Sequence, residues 1–135
     1  MRKRIVSSLF AMALLVSVLS ANCTTALAVQ SDQIHLMYTG IFSLTTTLNI
    51  SASGAASCYG SVIARNGYTV NLTVELKRDG STIKTWTDSG SGAVVASGTY
   101  FVTPGHTYVV TTSAEIYKGD TLIESPSKDS PESSY

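Results

Sequence analysis

The chain has 135 residues, nine basic and nine acidic, with a mean hydropathy of +0.19. That length suggests one domain, and the balanced charge excludes the strongly basic surface of a nucleic-acid or anionic-membrane binder. Two cysteines, Cys23 and Cys58, are too few for a cysteine zinc site or a CxxC redox centre.

Residues 1–28 read as a secretory signal peptide. Met1-Arg2-Lys3-Arg4 is a basic start, Ile5 to Leu19 is mostly apolar, and Ala26 and Ala28 are the small residues of a cleavage site. The apolar run is shorter than the roughly 20 residues of a spanning helix. Retention as an anchor and lipidation of Cys23 are the alternatives, and Asn22 before Cys23 disfavours the second. Cleavage after Ala28 removes Arg2, Lys3, Arg4 and Cys23, leaving an acidic excess and a single cysteine. Such a domain has no internal disulfide and depends on its core. About 100 residues bury roughly two-thirds of their unfolded surface, enough for one modest core.

Residues 29–40 form a polar lead-in without a clear period, and residues 41–125 carry the pattern of a β-domain. In the first strand Phe42, Leu44, Thr46, Leu48 and Ile50 share the apolar face, and Ser53-Gly54 ends it. The second strand, about 55–64, has a face of small residues: Ala56, Cys58, Gly60, Val62 and Ala64. Such a face lets a large side chain of another sheet pack close, while Tyr59 and Ile63 point away. Asn66-Gly67 turns the chain. Val70, Leu72, Val74 and Leu76 of the third strand alternate with polar residues, so a slip of one residue would bury Glu75 and Lys77. Asp79-Gly80 is a hairpin signal. A fourth strand, about 81–88, holds the only tryptophan, Trp86. Ser89-Gly90-Ser91-Gly92 reads as a crossing into a fifth strand, about 93–103. After Pro104-Gly105 come a sixth strand to about Tyr117, the Gly119-Asp120 turn and a short seventh at 121–124. The Ser- and Pro-rich tail, residues 126–135, reads as flexible. Seven short strands and no helical period predict an all-β sandwich, with an up-and-down meander or barrel as the alternative.

Pro104-Gly105-x-x-Tyr108, followed by Val110, Thr112 and Ala114, resembles the corner before strand F in immunoglobulin and fibronectin-III domains. The resemblance implies that the Tyr108 hydroxyl turns back onto an upstream backbone group. Two features depart from the pattern. Cys58 has no partner because the matching position is Val110, and Trp86 lies on the fourth strand. The whole chain also resembles an uncharacterised set of small secreted proteins of Gram-positive bacteria. The likeness rests on the signal peptide, the segment Ala55-Ala56-Ser57-Cys58-Tyr59-Gly60-Ser61-Val62, Leu76-Lys77-Arg78, Lys84-Thr85-Trp86 and the Gly-x-x-Tyr corner. It implies export and supplies no activity.

No catalytic constellation is legible. His106, in the corner, has no carboxylate or nucleophile at a telling spacing and reads as an exposed turn residue. With His35 elsewhere in the chain, the two histidines make a poor metal site. Ser81-x-x-Lys84 falls in a strand, where positions three apart face opposite ways, and Ser125-x-x-Lys128 contains Pro126. Asn49-Ile50-Ser51 and Asn71-Leu72-Thr73 are glycosylation sequons that Thr-rich strands generate freely. Lys118-Gly119-Asp120 occupies the turn where fibronectin-type domains display an adhesion tripeptide, with Lys in place of Arg. Parity turns Tyr59, Trp86, Phe101 and Tyr117 outward as contact surface for a protein or sugar ring, and Cys58 reads as a buried, inert thiol. These features predict a secreted, non-enzymatic β-sandwich without a cofactor, binding an extracellular protein or glycan and neither nucleic acid nor membrane after cleavage. A self-assembling extracellular protein is the second reading, and a carbohydrate-binding module the third.

Overall fold

Period-two alternation generates the long strands of the structure, a computed structural model that describes Tyr38–Tyr135. The expected signal peptide, including Ala26, Ala28 and Cys23, lies outside the described residues. The strands are β1 (Ile41–Ile50), β2 (Ala55–Ala64), β3 (Thr69–Arg78), β4 (Ser81–Ser91), β5 (Ala93–Phe101), β6 (Thr107–Lys118), β7 (Thr121–Glu124), β8 (Ser127–Asp129) and β9 (Ser133–Ser134). One antiparallel sheet has the order β1-β2-β5. The other has the order β4-β3-β6-β7, with β8 and β9 also paired to β6. The two sheets face each other as a sandwich. The meander alternative fails because β2 pairs with β5 and β3 with β6, so the chain changes sheet between strands.

The core lies between the sheets. Val70, Leu72, Val74 and Leu76 of β3 are buried against Val110, Ala114 and Ile116 of β6, and they face Ala56, Cys58, Val62 and Val94 of the first sheet. Burial of each large aliphatic side chain stabilises the fold by about 1.5–3 kcal/mol. The small-residue face of β2 has a specific use. A Cβ on Gly60 would overlap the side chains of Thr112 and Val74, so the missing side chain lets β6 approach β2. The Thr112 hydroxyl is fully buried there without a hydrogen-bond partner; nothing in the structure explains why this position is not Val.

Three expectations are corrected. In β1 the register shifts between Ile41 and Ser43, which buries Ile41 and leaves Phe42 65% exposed, with Arg65 stacked on its ring. A bulge resets the alternation locally, whereas Leu44 and Thr46 keep the expected face. Trp86 does not point outward. It pairs with Val74, an inward residue, and its half-buried indole occupies the space left by the absent side chain of Gly98. The tail is not frayed: β8 and β9 pair with β6, and Ser130 is buried.

The turns follow their chemistry. Asp79 and Gly80 both have positive φ, 48° and 86°, as a two-residue type I′ hairpin requires. The crossing is narrower than Ser89–Gly92. β4 stays paired to Ser91, and Gly92 alone, at φ 76°, carries the chain into β5.

Gly60→Ala gains a few tenths to about 1 kcal/mol from backbone entropy, but overpacking of the Thr112–Val74 contact costs about 1–3 kcal/mol. A net loss is expected, read as a lower urea midpoint at unchanged slope. An equal or higher midpoint would show that the two sheets are not in close contact at Gly60.

Candidate functional site

The segment between β5 and β6 is held from three directions. Tyr108, at the start of β6, is fully buried. Its hydroxyl donates to the Thr103 carbonyl at 2.7 Å and accepts from the Thr103 N–H at 3.1 Å, so one side chain satisfies both backbone groups of a residue that lies outside any strand. Gly105 supplies the positive φ, 88°, of the turn between them.

The second hold comes from the β3–β4 hairpin. The Asp79 N–H donates to the Thr107 carbonyl at 2.9 Å, and Asp79 Oδ1 accepts from the Thr107 N–H at 3.0 Å. Asp79 Oδ2 meets His106 Nδ1 at 2.5 Å. The Thr107 N–H first, and then His106, hold the Asp79 carboxyl below its ordinary range. The third hold is the tail. The Tyr135 backbone oxygen accepts from Gly105 N–H at 2.5 Å, the Tyr135 N–H donates to the His106 carbonyl at 3.2 Å, and the Tyr135 hydroxyl donates to the Ala52 carbonyl.

The Asp79–His106 pair is the feature that sequence reading missed. Asp79-Gly80 and Gly105-His106 are each legible as turns, but only the β3–β6 register, with Arg78 opposite Tyr108, brings the two turns together. The pair borders an open groove of about 380 Å³ lined by Lys77, Asp79, Thr107, Thr111, Asp129 and Glu132. Asp129 accepts from the Thr111 hydroxyl at 2.6 Å and is thereby tied to β6. Among the described residues no Ser, Thr or Cys side chain is hydrogen-bonded to the His106 ring, and no group of three His, Cys, Asp or Glu side chains is spaced to hold a metal. The arrangement locks a corner and holds the His106 imidazole on the Asp79 carboxylate.

The other residues singled out in the sequence are dispersed. Tyr59 (39% exposed) and Phe101 (72% exposed) lie on the outer face of the β1-β2-β5 sheet, with Ile63 and Val95 also exposed there. Tyr117 is on the other sheet, half-buried, donating to Glu115 at 3.1 Å, and that bond raises its hydroxyl pKa. The Lys118 ammonium sits 5.7 Å from the centre of the Tyr68 ring, and Gly119 and Asp120 form an exposed turn. Cys58 is buried, and desolvation pushes its thiol up to about 11; it is not poised to react.

The outer face of the first sheet has a composition of its own. Between the strands Tyr59, Ile63, Val95 and Phe101 stand among Ser43, Thr45, Thr47, Asn49, Ser57, Ser61, Ser97 and Thr99, with no charged side chain in those strands. The outer face of the second sheet carries Glu75, Lys77 and Glu115. No family model matches the chain, and no curated protein matches it.

Tyr108→Phe leaves the N–H and C=O of Thr103 without their partner, and a loss of about 1–3 kcal/mol is expected in denaturant unfolding. Equal stability would show that the corner does not depend on the hydroxyl. Because the Asp79 carboxyl is held below its ordinary value, its contribution is fully present above the ordinary carboxylate range and is lost as pH falls through the depressed value. The stability gap between wild type and Asp79→Asn should therefore shrink as pH falls from the ordinary carboxylate range through the depressed value. A gap that widens across that acidic range would reverse the sign of the assignment.

Proposed function

We propose that the protein is an exported, non-catalytic binding module of the immunoglobulin and fibronectin-III sandwich type, acting outside the cell on a protein partner. The observation that carries this reading is the outer face of the β1-β2-β5 sheet, whose strands hold no charged residue and which Arg65 borders at Phe42. Its exposed Tyr and Phe and its lack of charged residues are features shared with an interface core; the short hydroxyl side chains between them are not part of that signature. Export is supported by the basic start, apolar run and Ala26–Ala28 pattern of the sequence.

The fold type is supported by strand order. Taking β1, β2 and β5 as A, B and E and β4, β3, β6 and β7 as C′, C, F and G, the A-B-E and C-F-G pairings support such a sandwich, with the fourth strand in the second sheet in place of a D strand in the first. The buried Tyr108, bonded back to Thr103, stands at the start of the F-like strand. The absence of a disulfide from Cys58 is met by the three holds on the corner and by the closely packed Gly60–Thr112 contact.

The test is capture from a cell-surface extract and binding to a glycan panel, using wild type, Tyr59→Ser/Ile63→Ser and a control, Thr85→Lys, on the outer face of the second sheet. A protein held by wild type and control and lost by the double variant is the expected result, with circular dichroism confirming that the variant is folded. Retention by the double variant, a glycan as the sole ligand, or His106-dependent hydrolysis of a substrate would each overturn the reading.

A further inference from the structure

The edges of the two sheets are not equivalent. A strand with an unpaired row of N–H and C=O groups is a template for another strand, and proteins blunt such edges with charges, prolines, bulges or short strands. The β4 edge carries Lys84 and Asp88 and a register shift opposite Leu76 and Lys77. The far edge of the second sheet is built from the short β7, β8 and β9, with Pro126 and Pro131 between them and a shift at Ile116/Tyr117. β1 is uncharged like β5, but it has the bulge at Ile41/Ser43, and its Thr46 hydroxyl donates to the Lys128 carbonyl of β8. β5 has none of these devices. It runs nine residues, Ala93-Val94-Val95-Ala96-Ser97-Gly98-Thr99-Tyr100-Phe101, without charge, proline or register shift, and among the described residues it pairs with β2 alone.

The free row can be assigned. Ala64 N–H donates to the Gly92 carbonyl and Val102 N–H to the Gly54 carbonyl, so even-numbered residues turn their backbone groups toward β2. Ala93, Val95, Ser97, Thr99 and Phe101 therefore present theirs to the open edge.

We infer that β5 pairs antiparallel with β5 of a second copy of this chain, across a two-fold axis at Ser97. In that register Ser97 opposes itself, Val95 opposes Thr99, and Ala93 opposes Phe101, so the full strand is used and every free backbone group of the row meets a partner. The occupant is a second copy because a two-fold contact sets each strand beside itself. The free row is self-complementary about Ser97, the one residue that meets itself there is uncharged, and β5 is the edge that has neither a charge nor a bulge. The joined sheet carries both copies' outer faces on one side. This inference is independent of the binding reading above: it rests on the edge, not on the face.

The experiment is sedimentation of the purified protein over a range of concentrations, comparing wild type with Ser97→Lys, Ser97→Asp and Thr85→Lys. Ser97 and Thr85 are exposed, so the fold tolerates all three changes. Wild type and Thr85→Lys should show a monomer–dimer equilibrium. Each Ser97 variant should weaken it by roughly tenfold or more, because like charges meet at the axis. An equimolar mixture of Ser97→Lys and Ser97→Asp should restore the dimer. A wild type that stays monomeric at every concentration, or a dimer indifferent to both Ser97 charges, would overturn the inference.

Discussion

The fold depends on one constraint: the chain must pass from the first sheet to the second after β5 without leaving the Thr103 backbone unpaired beside the core. The buried Tyr108 hydroxyl meets it by accepting from the N–H and donating to the C=O of that residue. A hydroxyl has one proton and spare lone pairs, so it does both at once. Phenylalanine would keep the ring packing and lose both bonds. Asp79 then docks the β3–β4 hairpin on Thr107, and Tyr135 docks the tail on Gly105 and His106. These bonds set the start of β6, and β6 is the strand that β3, β7, β8 and β9 all pair with.

Much of this was legible in the sequence because the relevant signals are local. Val70 to Leu76 alternate cleanly, and Asp79-Gly80 and Gly119-Asp120 are turn chemistry, so the first seven strands followed, although β4 runs on to Ser91 and β5 ends at Phe101. Tyr108 was legible through its distance from Pro104-Gly105. What was not legible depended on neighbours distant in sequence. The bulge that reverses Phe42 leaves no mark in an alternating strand. Trp86 turns inward because Gly98, on another sheet, leaves it room. The tail looked like linker by composition, yet Ser130, Asp129 and Tyr135 find partners on β6 and the corner, so short polar residues complete a sheet edge there.

The Asp79–His106 pair joins two turns that lie 27 residues apart in the sequence. A carboxylate at 2.5 Å from an imidazole nitrogen is the orienting half of many hydrolytic sites. Here both groups lie in turns at one end of the sandwich, and their hydrogen bonds go to backbone and to each other. The surface distinguished by composition is elsewhere, on the outer face of β1-β2-β5 and along the edge of β5. The polar network and that surface are thus separated in the molecule: the network holds the corner, and the strands of the other sheet carry no charged residue.

Native-state hydrogen exchange tests the central claim most directly. If the corner is part of the cooperative core, the amides of Thr103, Asp79 and Thr107 exchange only through the same global opening as those of Val74 and Val110, and share their dependence on denaturant. Exchange of Thr103 and Thr107 at the rates of a mobile loop, while β3 and β6 stay protected, would contradict it and leave the corner a passive connection.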